Sequence, residues 1–202
     1  MRGGRSLASL ARRNLERKTA ELLGCLAGLE WVAGVLGALV PGGRPITFMF
    51  TDIEGFTAYA AARGDGAAVG LLRRHDDAVL PAIRRHRGRL VKRLGDGLMI
   101  AVPSPTEAVK AALVMQAGAA RARVKLRIGI HTGEARSRDG DLIGHDVNIA
   151  ARIADRAPAG HVLVSETVRE AADGLRASVR RARPLVIAGA KPVPLFRVEA
   201  AR

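Results

Sequence analysis

The chain has 202 residues, 48% of them apolar, which predicts one globular domain with an appendage. Its single cysteine, Cys25, excludes an internal disulfide framework and a cysteine-based zinc cluster. The net charge of +14 favours polyanionic partners, but the basic residues are scattered, as on an arginine-rich solvated surface. Aromatic residues make up only 3% of the chain, which disfavours a protein that stacks single-stranded nucleic acid.

Residues 1–44 differ in composition from the rest and are predicted to form a separate helical segment. A basic start precedes an apolar run from Leu22 to Val40, which Glu30 alone interrupts with a charge. The run is long enough to span a membrane. However, a central charge is costly in a bilayer, and the preceding basic residues would place the rest of the chain outside the cytosol.

The apolar residues of this run also recur at alternating intervals of four and three. They are Leu22, Leu26, Leu29, Ala33, Leu36 and Val40. This heptad spacing favours a helical dimerisation or docking segment over membrane contact through residues 22–40. A cleaved signal peptide is the weakest alternative, because no small-residue cleavage site stands out. We therefore expect a cytoplasmic protein, with membrane association as the alternative.

From Pro45 onward strands and helices alternate, which makes residues 45–202 a second predicted unit. The first predicted elements are a strand over 45–51, a helix over 66–86, a hairpin over 88–103, a helix over 106–119 and a strand over 124–131. This order of strand, helix, two strands, helix and strand is typical of α+β folds with a ferredoxin-like core. Later elements are predicted over 144–154 (helix), 161–164 (strand), 166–172 (helix) and 197–199 (strand).

Two aspartates lie where an apolar, strand-like run breaks into glycine. Asp52 follows the run of residues 46–50, and Asp96 lies in the turn Gly95-Asp96-Gly97 of the predicted hairpin. An isolated Asp-Gly is more often a turn or cap. Two carboxylates at the edges of neighbouring strands, however, can share a hard cation, and glycine lets a polyphosphate approach the backbone. The pattern indicates a metal-dependent nucleotide site.

Four motifs follow one another in a specific order. They are Phe50-Thr51-Asp52-Ile53-Glu54-Gly55-Phe56-Thr57, Lys92-Arg93-Leu94-Gly95-Asp96-Gly97, residues 127–134 and residues 141–152. Together they resemble the catalytic domain of the class III adenylate and guanylate cyclases, bacterial adenylate cyclases in particular, over about residues 45–198. The resemblance implies a ferredoxin-like βαββαβ core with extra C-terminal strands and helices. It also implies a homodimer that converts ATP to 3′,5′-cyclic AMP and pyrophosphate at sites shared by its two chains.

The resemblance also implies roles for individual residues. Asp52 and Asp96 would bind two ions of Mg²⁺ or Mn²⁺, with the carbonyl of Ile53 as a further ligand. Lys92 and Asp141 would read adenine, because lysine donates to a ring nitrogen and aspartate accepts from the exocyclic amino group. Guanine presents the opposite pattern of donor and acceptor at these two positions.

Five further residues are expected to contact the nucleotide. Asn148 and Arg152 lie one helical turn apart, and the resemblance implies that they orient the ribose and stabilise charge on the α-phosphate. Phe56 and Thr57 are implied to bind substrate as well, and Arg127 to meet its terminal phosphates.

The chain departs from the family pattern shortly before its last strand. Family members carry a basic residue there that meets the triphosphate, whereas here the position falls on Ile187 or Ala188. The nearby basic residues that could compensate are Arg181, Arg183 and Lys191.

Two other interpretations stay open at this stage. A non-catalytic cyclase-like domain that binds a nucleotide or a partner is supported by the missing basic residue. A basic ferredoxin-like nucleic-acid binder is disfavoured by the low aromatic content, and we expect no specific nucleic-acid partner. The five histidines show no metal-ligand spacing, and His131, at the end of a predicted strand, is interpreted as structural.

Overall fold

The computed structural model describes residues 45–201, which form one large β-sheet and one small one, with helices on both faces of the large sheet. The strands are β1 (Ile46–Ile53), β2 (Arg89–Leu94), β3 (Gly97–Val102), β4 (Leu126–Gly133), β5 (Arg136–Arg138), β6 (Asp141–Ile143), β7 (His161–Ser165), β8 (Ala177–Leu185) and β9 (Val193–Ala200). The helices are α1 (Phe56–Arg63), α2 (Asp65–Arg85), α3 (Pro105–Arg121), α4 (His145–Arg156) and α5 (Glu166–Ala171). The predicted N-terminal segment, residues 1–44, lies outside the described residues.

The predicted fold class is confirmed by the order of the strands. The seven-stranded sheet runs β2-β3-β1-β4-β7-β9-β8, and β5 pairs with β6 in a separate hairpin. β1 lies antiparallel between β3 and β4, which is the arrangement of a ferredoxin-like core. β7 adds parallel to β4, and the antiparallel strands β9 and β8 extend the sheet beyond it.

Four elements were not anticipated from the sequence: α1, the two strands of the β5–β6 hairpin, and β8. None of the residues of α1 is fully buried, and β5 and β6 are three residues long. β8 is an edge strand with mostly exposed, arginine-rich residues. Such segments lack the apolar periodicity that marks an element in a sequence. All the elements that the sequence predicted between residues 45 and 201 are present, with β1 and β4 extending to Ile53 and Gly133 and β9 beginning at Val193.

Apolar layers cover both faces of the sheet. On one face Met49 of β1 packs in a cluster with residues of α2 and α3. On the other, Phe48 and Phe50 pack with Val147 and Ala150 of α4. Because successive residues of a strand point to opposite faces, β1 is buried on both sides, which explains its almost unbroken apolar run.

α4 rests directly on the backbone of β4. A Cβ at Gly129 would lie 2.1 Å from the backbone nitrogen of Ala154, and a Cβ at Gly133 would lie 2.1 Å from Oδ2 of Asp146. Only glycine permits this approach at both positions. The helix is therefore placed by backbone contact at Gly129 and by the side chain of Asp146 at Gly133.

None of the helices between residues 45 and 201 combines the length and the hydropathy that a membrane crossing requires.

We expect Gly129→Ala to destabilise the domain by about 1–3 kcal/mol or more, as overpacking does, because the added methyl group meets the backbone of α4. Gly70→Ala is the matched control, since Gly70 lies within α2 and its added Cβ would have Nη1 of Arg74 as nearest neighbour at 3.8 Å. That variant should gain about 0.5–1 kcal/mol from helix propensity. Urea unfolding measures both, and equal stabilities would contradict the close docking of α4.

Candidate active site

Asp52 and Asp96 lie side by side where β1 ends and the β2–β3 turn begins. Gly97 brings β3 against β1, because a Cβ at this position would lie 2.4 Å from the carbonyl oxygen of Thr51. Asp96 then accepts a hydrogen bond at Oδ2 from the backbone N–H of Ile53, at 3.3 Å. The structure thus gathers the two predicted metal carboxylates and Ile53 at one place.

The two carboxylates are only partly neutralised by their surroundings. Burial raises the pKa of Asp52 to about 6, and repulsion by Asp96 adds to this rise, whereas Arg127 opposes it. Arg127 stands opposite Asp52 on β4, with Nη1 3.8 Å from Oδ2, and it also forms an ion pair with Glu54. Because Arg127 divides its positive charge between Asp52 and Glu54, it leaves net negative charge at Asp52 and Asp96.

This arrangement fits a magnesium or manganese site. Carboxylate oxygens are the ligands that these hard cations prefer, and a bound cation would relieve the repulsion that raises the pKa of Asp52. Within residues 45–201 no three His, Cys, Asp or Glu side chains are gathered as a metal cluster. Cations held by Asp52 and Asp96 would therefore complete their coordination with backbone oxygen, substrate phosphate and water.

Lys92 and Asp141, the predicted base-reading pair, are in direct contact. Nζ of Lys92, on the edge strand β2, donates to Oδ2 of Asp141 at 2.6 Å, across 49 residues of sequence. Oδ1 of Asp141 accepts from the backbone N–H of Leu142 at 2.8 Å. The hydrogen bond from Lys92 lowers the pKa of Asp141, which keeps this carboxylate charged. The side chain of Asp139, the neighbouring carboxylate, is 93% exposed in the turn and takes no part in the ion pair of Lys92 with Asp141.

Asn148 and Arg152 lie on the exposed face of α4, four residues apart. The opposite face of this helix is buried through Val147, Ile149 and Ile153. Among residues 45–201, neither Asn148 nor Arg152 has a side-chain hydrogen bond or an ion pair. Both side chains are thus free to contact a ligand or a second chain.

Phe56 and Thr57 form the first turn of α1. Gly55, with a φ of +72°, bends the chain so that this helix starts three residues after Ile53. Phe56 is half-buried against the core and Thr57 is exposed. The N-terminus of α1 therefore lies next to the carboxylates, and helix N-termini attract phosphate groups.

The basic residues considered as substitutes near the last strand are not gathered at this site. Arg181 and Arg183 are exposed on the edge strand β8, and Lys191 is exposed in the β8–β9 loop. Ile187 is half-buried in an apolar cluster under this loop, and Ala188 is exposed. Within the described part of the chain, none of the three basic side chains contacts Asp52 or Asp96.

One set of contacts escaped the sequence analysis. His131 of β4 is buried and lies 2.8 Å from the Ser165 hydroxyl through Nδ1, and 3.5 Å from Asp146 of α4 through Nε2. His131 thus has the structural surroundings that were expected of it. Its link to α4, the helix that carries Asn148 and Arg152, joins residues too far apart in sequence to produce a local signal.

The chain matches a known family of catalytic domains over most of its length. A profile of the adenylate and guanylate cyclase catalytic domain matches residues 42–199. A pH-sensitive adenylate cyclase of Mycobacterium tuberculosis is 34% identical over 178 residues, which cover 80% of this chain and 42% of that protein. An adenylate cyclase of Streptomyces coelicolor is 30% identical over 129 residues, which cover 63% of this chain and 34% of that protein. The chain thus spans less than half the length of these relatives.

Solved cyclase structures share the fold. An adenylate cyclase from Trypanosoma brucei, in its monomeric state, matches with a TM-score of 0.69 at 26% identity, over 77% of this chain and 88% of that one. An adenylyl cyclase of P. aeruginosa matches at 0.71 and 22% identity, over 79% and 95% of the two chains. A guanylate cyclase domain from Catenaria anguillulae, in complex with GTP, matches at 0.70 and 20% identity, over 79% and 98%. The fold therefore does not select between ATP and GTP.

We expect Asp52→Asn to raise the melting temperature of the metal-free protein at about pH 8. A carboxyl whose pKa rises from 3.8 to about 6 on folding loses stability as the pH passes through that interval, and above it the loss is complete. The neutral amide avoids this loss. Asp139→Asn, at an exposed carboxylate, should change little.

Thermal unfolding with and without Mn²⁺ measures both effects. Mn²⁺ should stabilise the wild-type protein and the Asp139→Asn control but not Asp52→Asn. A lower melting temperature for metal-free Asp52→Asn, or an equal response to Mn²⁺, would contradict the assignment of Asp52 to a cation site.

Proposed function

The chain belongs to the adenylate and guanylate cyclase catalytic domain family, and we propose that it converts ATP to 3′,5′-cyclic AMP and pyrophosphate as a homodimer. The observation that carries this proposal is the ion pair of Lys92 with Asp141, on the same chain as the carboxylates of Asp52 and Asp96. The pair supplies a recognition site for a base, and the carboxylates supply a site for the cations that accompany a triphosphate.

The ion pair retains hydrogen-bonding capacity for adenine. The ammonium group of Lys92 has three N–H donors and the carboxylate of Asp141 has about four acceptor positions, so their mutual contact uses only a part. Lysine can donate to a ring nitrogen of adenine while aspartate accepts from its amino group. Guanine would place a protonated nitrogen against the lysine and a carbonyl oxygen against the aspartate, which supports ATP as the substrate.

The proposed reaction needs little covalent participation by the protein. When bound, two divalent cations would supply charge stabilisation to the attacking ribose 3′-oxygen and to the phosphates. Asp52, Asp96 and the carbonyl of Ile53 would hold these cations. Catalysis by the chain's own residues would then consist of orientation and electrostatic stabilisation.

The remaining residues would act on the two ends of the nucleotide. The N-terminus of α1, with Phe56 and Thr57, would receive phosphate oxygens, and Arg127 would contribute positive charge beside them. Asn148 would orient the ribose. Arg152 has no carboxylate partner among residues 45–201, so its charge is available to the α-phosphate.

The arrangement of these residues supports a site shared by two chains. Asn148 and Arg152 point away from the sheet and make no contact with the Asp52–Asp96 pair of their own chain within the described residues. Two large apolar residues are exposed beside the site. Leu94, close to Asp96 in the sequence, is 45% exposed, and Ile143, on the same strand as Asp141, is 48% exposed. Their burial against a second copy would be favourable. A head-to-tail pair of identical chains would then form two equivalent sites.

A second candidate function is a non-catalytic domain that binds nucleotide. The apolar Ile187 and Ala188 stand where family members place a basic residue, which favours this alternative. It predicts nucleotide binding without release of pyrophosphate.

We expect purified protein with Mn²⁺ to form cyclic AMP from ATP at a higher kcat/KM than cyclic GMP from GTP. Lys92→Glu with Asp141→Cys should lower this ratio, because the change reverses the donor and acceptor pattern at the base. Arg136→Glu is the matched control on the same hairpin, since Arg136 is exposed and stands opposite Ile143 instead of Asp141.

Chromatographic analysis of the products measures both nucleotides. An unchanged ratio in an active double variant would remove Lys92 and Asp141 from base recognition. ATP binding with no cyclic product in the wild-type protein would establish the non-catalytic alternative.

The shared site has its own test. Asp52→Ala and Arg152→Ala should each be inactive as homodimers, because every site lacks one essential group. After the two are mixed, about half of the dimers are heterodimers with one intact site of two, so activity should recover to roughly a quarter of the wild-type value. Subunit exchange is verified by mass spectrometry of differently tagged chains. Continued inactivity despite exchange would show that both groups act within one chain.

A further inference from the structure

We propose that Asp146 is a positioning residue for this site. Its carboxylate accepts a hydrogen bond from the backbone N–H of Glu134 and lies 3.5 Å from the imidazole of His131, which is hydrogen-bonded to Ser165 and through it to Thr167. These contacts fix the first turn of α4 on β4 and thereby set the placement of Asn148 and Arg152. The proposal rests on the proposed function for the roles of Asn148 and Arg152, whereas the hydrogen-bonded chain rests on the contacts alone.

The carboxylate of Asp146 lies over the end of β4. Oδ2 accepts from the backbone N–H of Glu134 at 2.7 Å, and Oδ1 lies 3.5 Å from Nε2 of His131. Gly133 makes room for it, because a Cβ there would lie 2.1 Å from Oδ2. Both oxygens of one carboxylate thus tie the first turn of α4 to the strand.

The histidine belongs to a longer chain of polar groups. Nδ1 of His131 lies 2.8 Å from Oγ of Ser165, and this oxygen lies 2.8 Å from Oγ1 of Thr167. The His131 side chain is only 10% exposed. This series of polar groups therefore connects α4 through β4 and β7 to the start of α5.

The chemistry of these groups determines which of them donates and which accepts in each contact. An ionised carboxylate only accepts, so Nε2 of His131 must carry the proton. Nδ1 then accepts from the hydroxyl of Ser165, which in turn accepts from the hydroxyl of Thr167. Burial lowers the pKa of His131, which keeps the ring neutral and Nδ1 available as an acceptor. Every donor in the chain is therefore oriented toward Asp146.

The start of α4 is held in place mainly by the contact of the Asp146 carboxylate with the end of β4. Gly144, the residue before the helix, provides no side-chain cap, and the backbone N–H of Asn148 closes the first turn on the Gly144 carbonyl at 3.2 Å. Asp146 precedes Asn148 by two residues and Arg152 by six. A shift of this helix of about 1 Å moves both groups, and misplacement on that scale can reduce a reaction rate by about 100-fold.

The asparagine variant distinguishes a positioning role from a requirement for charge. In Asp146→Asn the amide oxygen can accept from the Glu134 N–H while the amide nitrogen donates to Nε2 of His131. The proton of the ring then moves to Nδ1, which donates to Ser165, and Ser165 donates to Thr167. Every contact survives: the Glu134 N–H still donates to residue 146, and the contacts among residue 146, His131, Ser165 and Thr167 reverse their direction. Asp146→Ala removes both contacts and offers no replacement.

The experiment uses the full chain and three variants: Asp146→Ala, Asp146→Asn and Glu170→Ala. Glu170 is an exposed carboxylate of α5 whose ion pair within residues 45–201 is with its neighbour Arg169, so Glu170→Ala serves as the control. Steady-state kinetics should show kcat reduced by about 10-fold or more in Asp146→Ala with KM for ATP little changed, and largely restored in Asp146→Asn. Sedimentation verifies that the oligomeric state is equal in all samples.

Two readouts do not depend on activity. Imidazole ¹⁵N shifts of His131 should report the Nε2–H tautomer in the wild-type protein and the Nδ1–H tautomer in Asp146→Asn. Amide hydrogen exchange in the first turn of α4 should be faster in Asp146→Ala than in the wild-type protein, Asp146→Asn and the control.

The outcomes separate this proposal from the proposed function. Wild-type kcat in Asp146→Ala, or equal losses of kcat in the alanine and asparagine variants, would overturn the positioning role. An Nδ1–H tautomer of His131 in the wild-type protein would overturn the proposed direction of the hydrogen bonds from Thr167 toward Asp146. If the wild-type protein forms no cyclic nucleotide, the proposed function fails, and amide exchange then decides whether Asp146 fixes α4.

Discussion

The site depends on the direct approach of backbone to backbone at glycine. Gly97 lets β3 lie against the carbonyl of Thr51, which brings the Asp96 turn to Asp52. Gly129 lets the backbone of α4 rest on β4, and Gly133 leaves room for the Asp146 carboxylate of that helix. The backbone contacts at Gly97 and Gly129 leave little freedom for adjustment, because no flexible side chain separates the elements there. The rigid scaffold thereby holds groups whose mutual repulsion would otherwise drive them apart.

Charge is distributed unevenly over this scaffold. The chain as a whole carries a net charge of +14, yet Asp52 lies beside Asp96, and Arg127, 3.8 Å from Asp52, is shared with Glu54. The folded protein retains this unfavourable pair because its strands determine the distance between the two carboxylates. Residues that oppose stability in this way are typical of sites that bind a charged ligand. The ion pair of Lys92 with Asp141, by contrast, is self-compensating and presents its free donors and acceptors to solvent.

The sheet places these groups at different depths. The carboxylates lie at the end of the buried strand β1, whereas Lys92 belongs to the edge strand β2 and Asn148 and Arg152 to the outer face of α4. A cation site gains from partial burial, since screening by water is weaker there. Groups that recognise a nucleotide, or that reach a second chain, must instead remain exposed. One fold therefore supplies both environments along a single sheet.

The sequence by itself determined the fold class, the family and the identity of the candidate residues, because these depend on local patterns. Apolar runs ending in Asp and glycine marked β1 and the β2–β3 turn, and the four motifs marked the other candidate residues. Tertiary structure alone decided the pairing of Arg127 with Glu54 and the chain from Thr167 through His131 to Asp146. It alone also revealed α1, the β5–β6 hairpin and β8. These features combine residues distant in sequence or segments with few buried side chains, and neither leaves an apolar period for local analysis to detect.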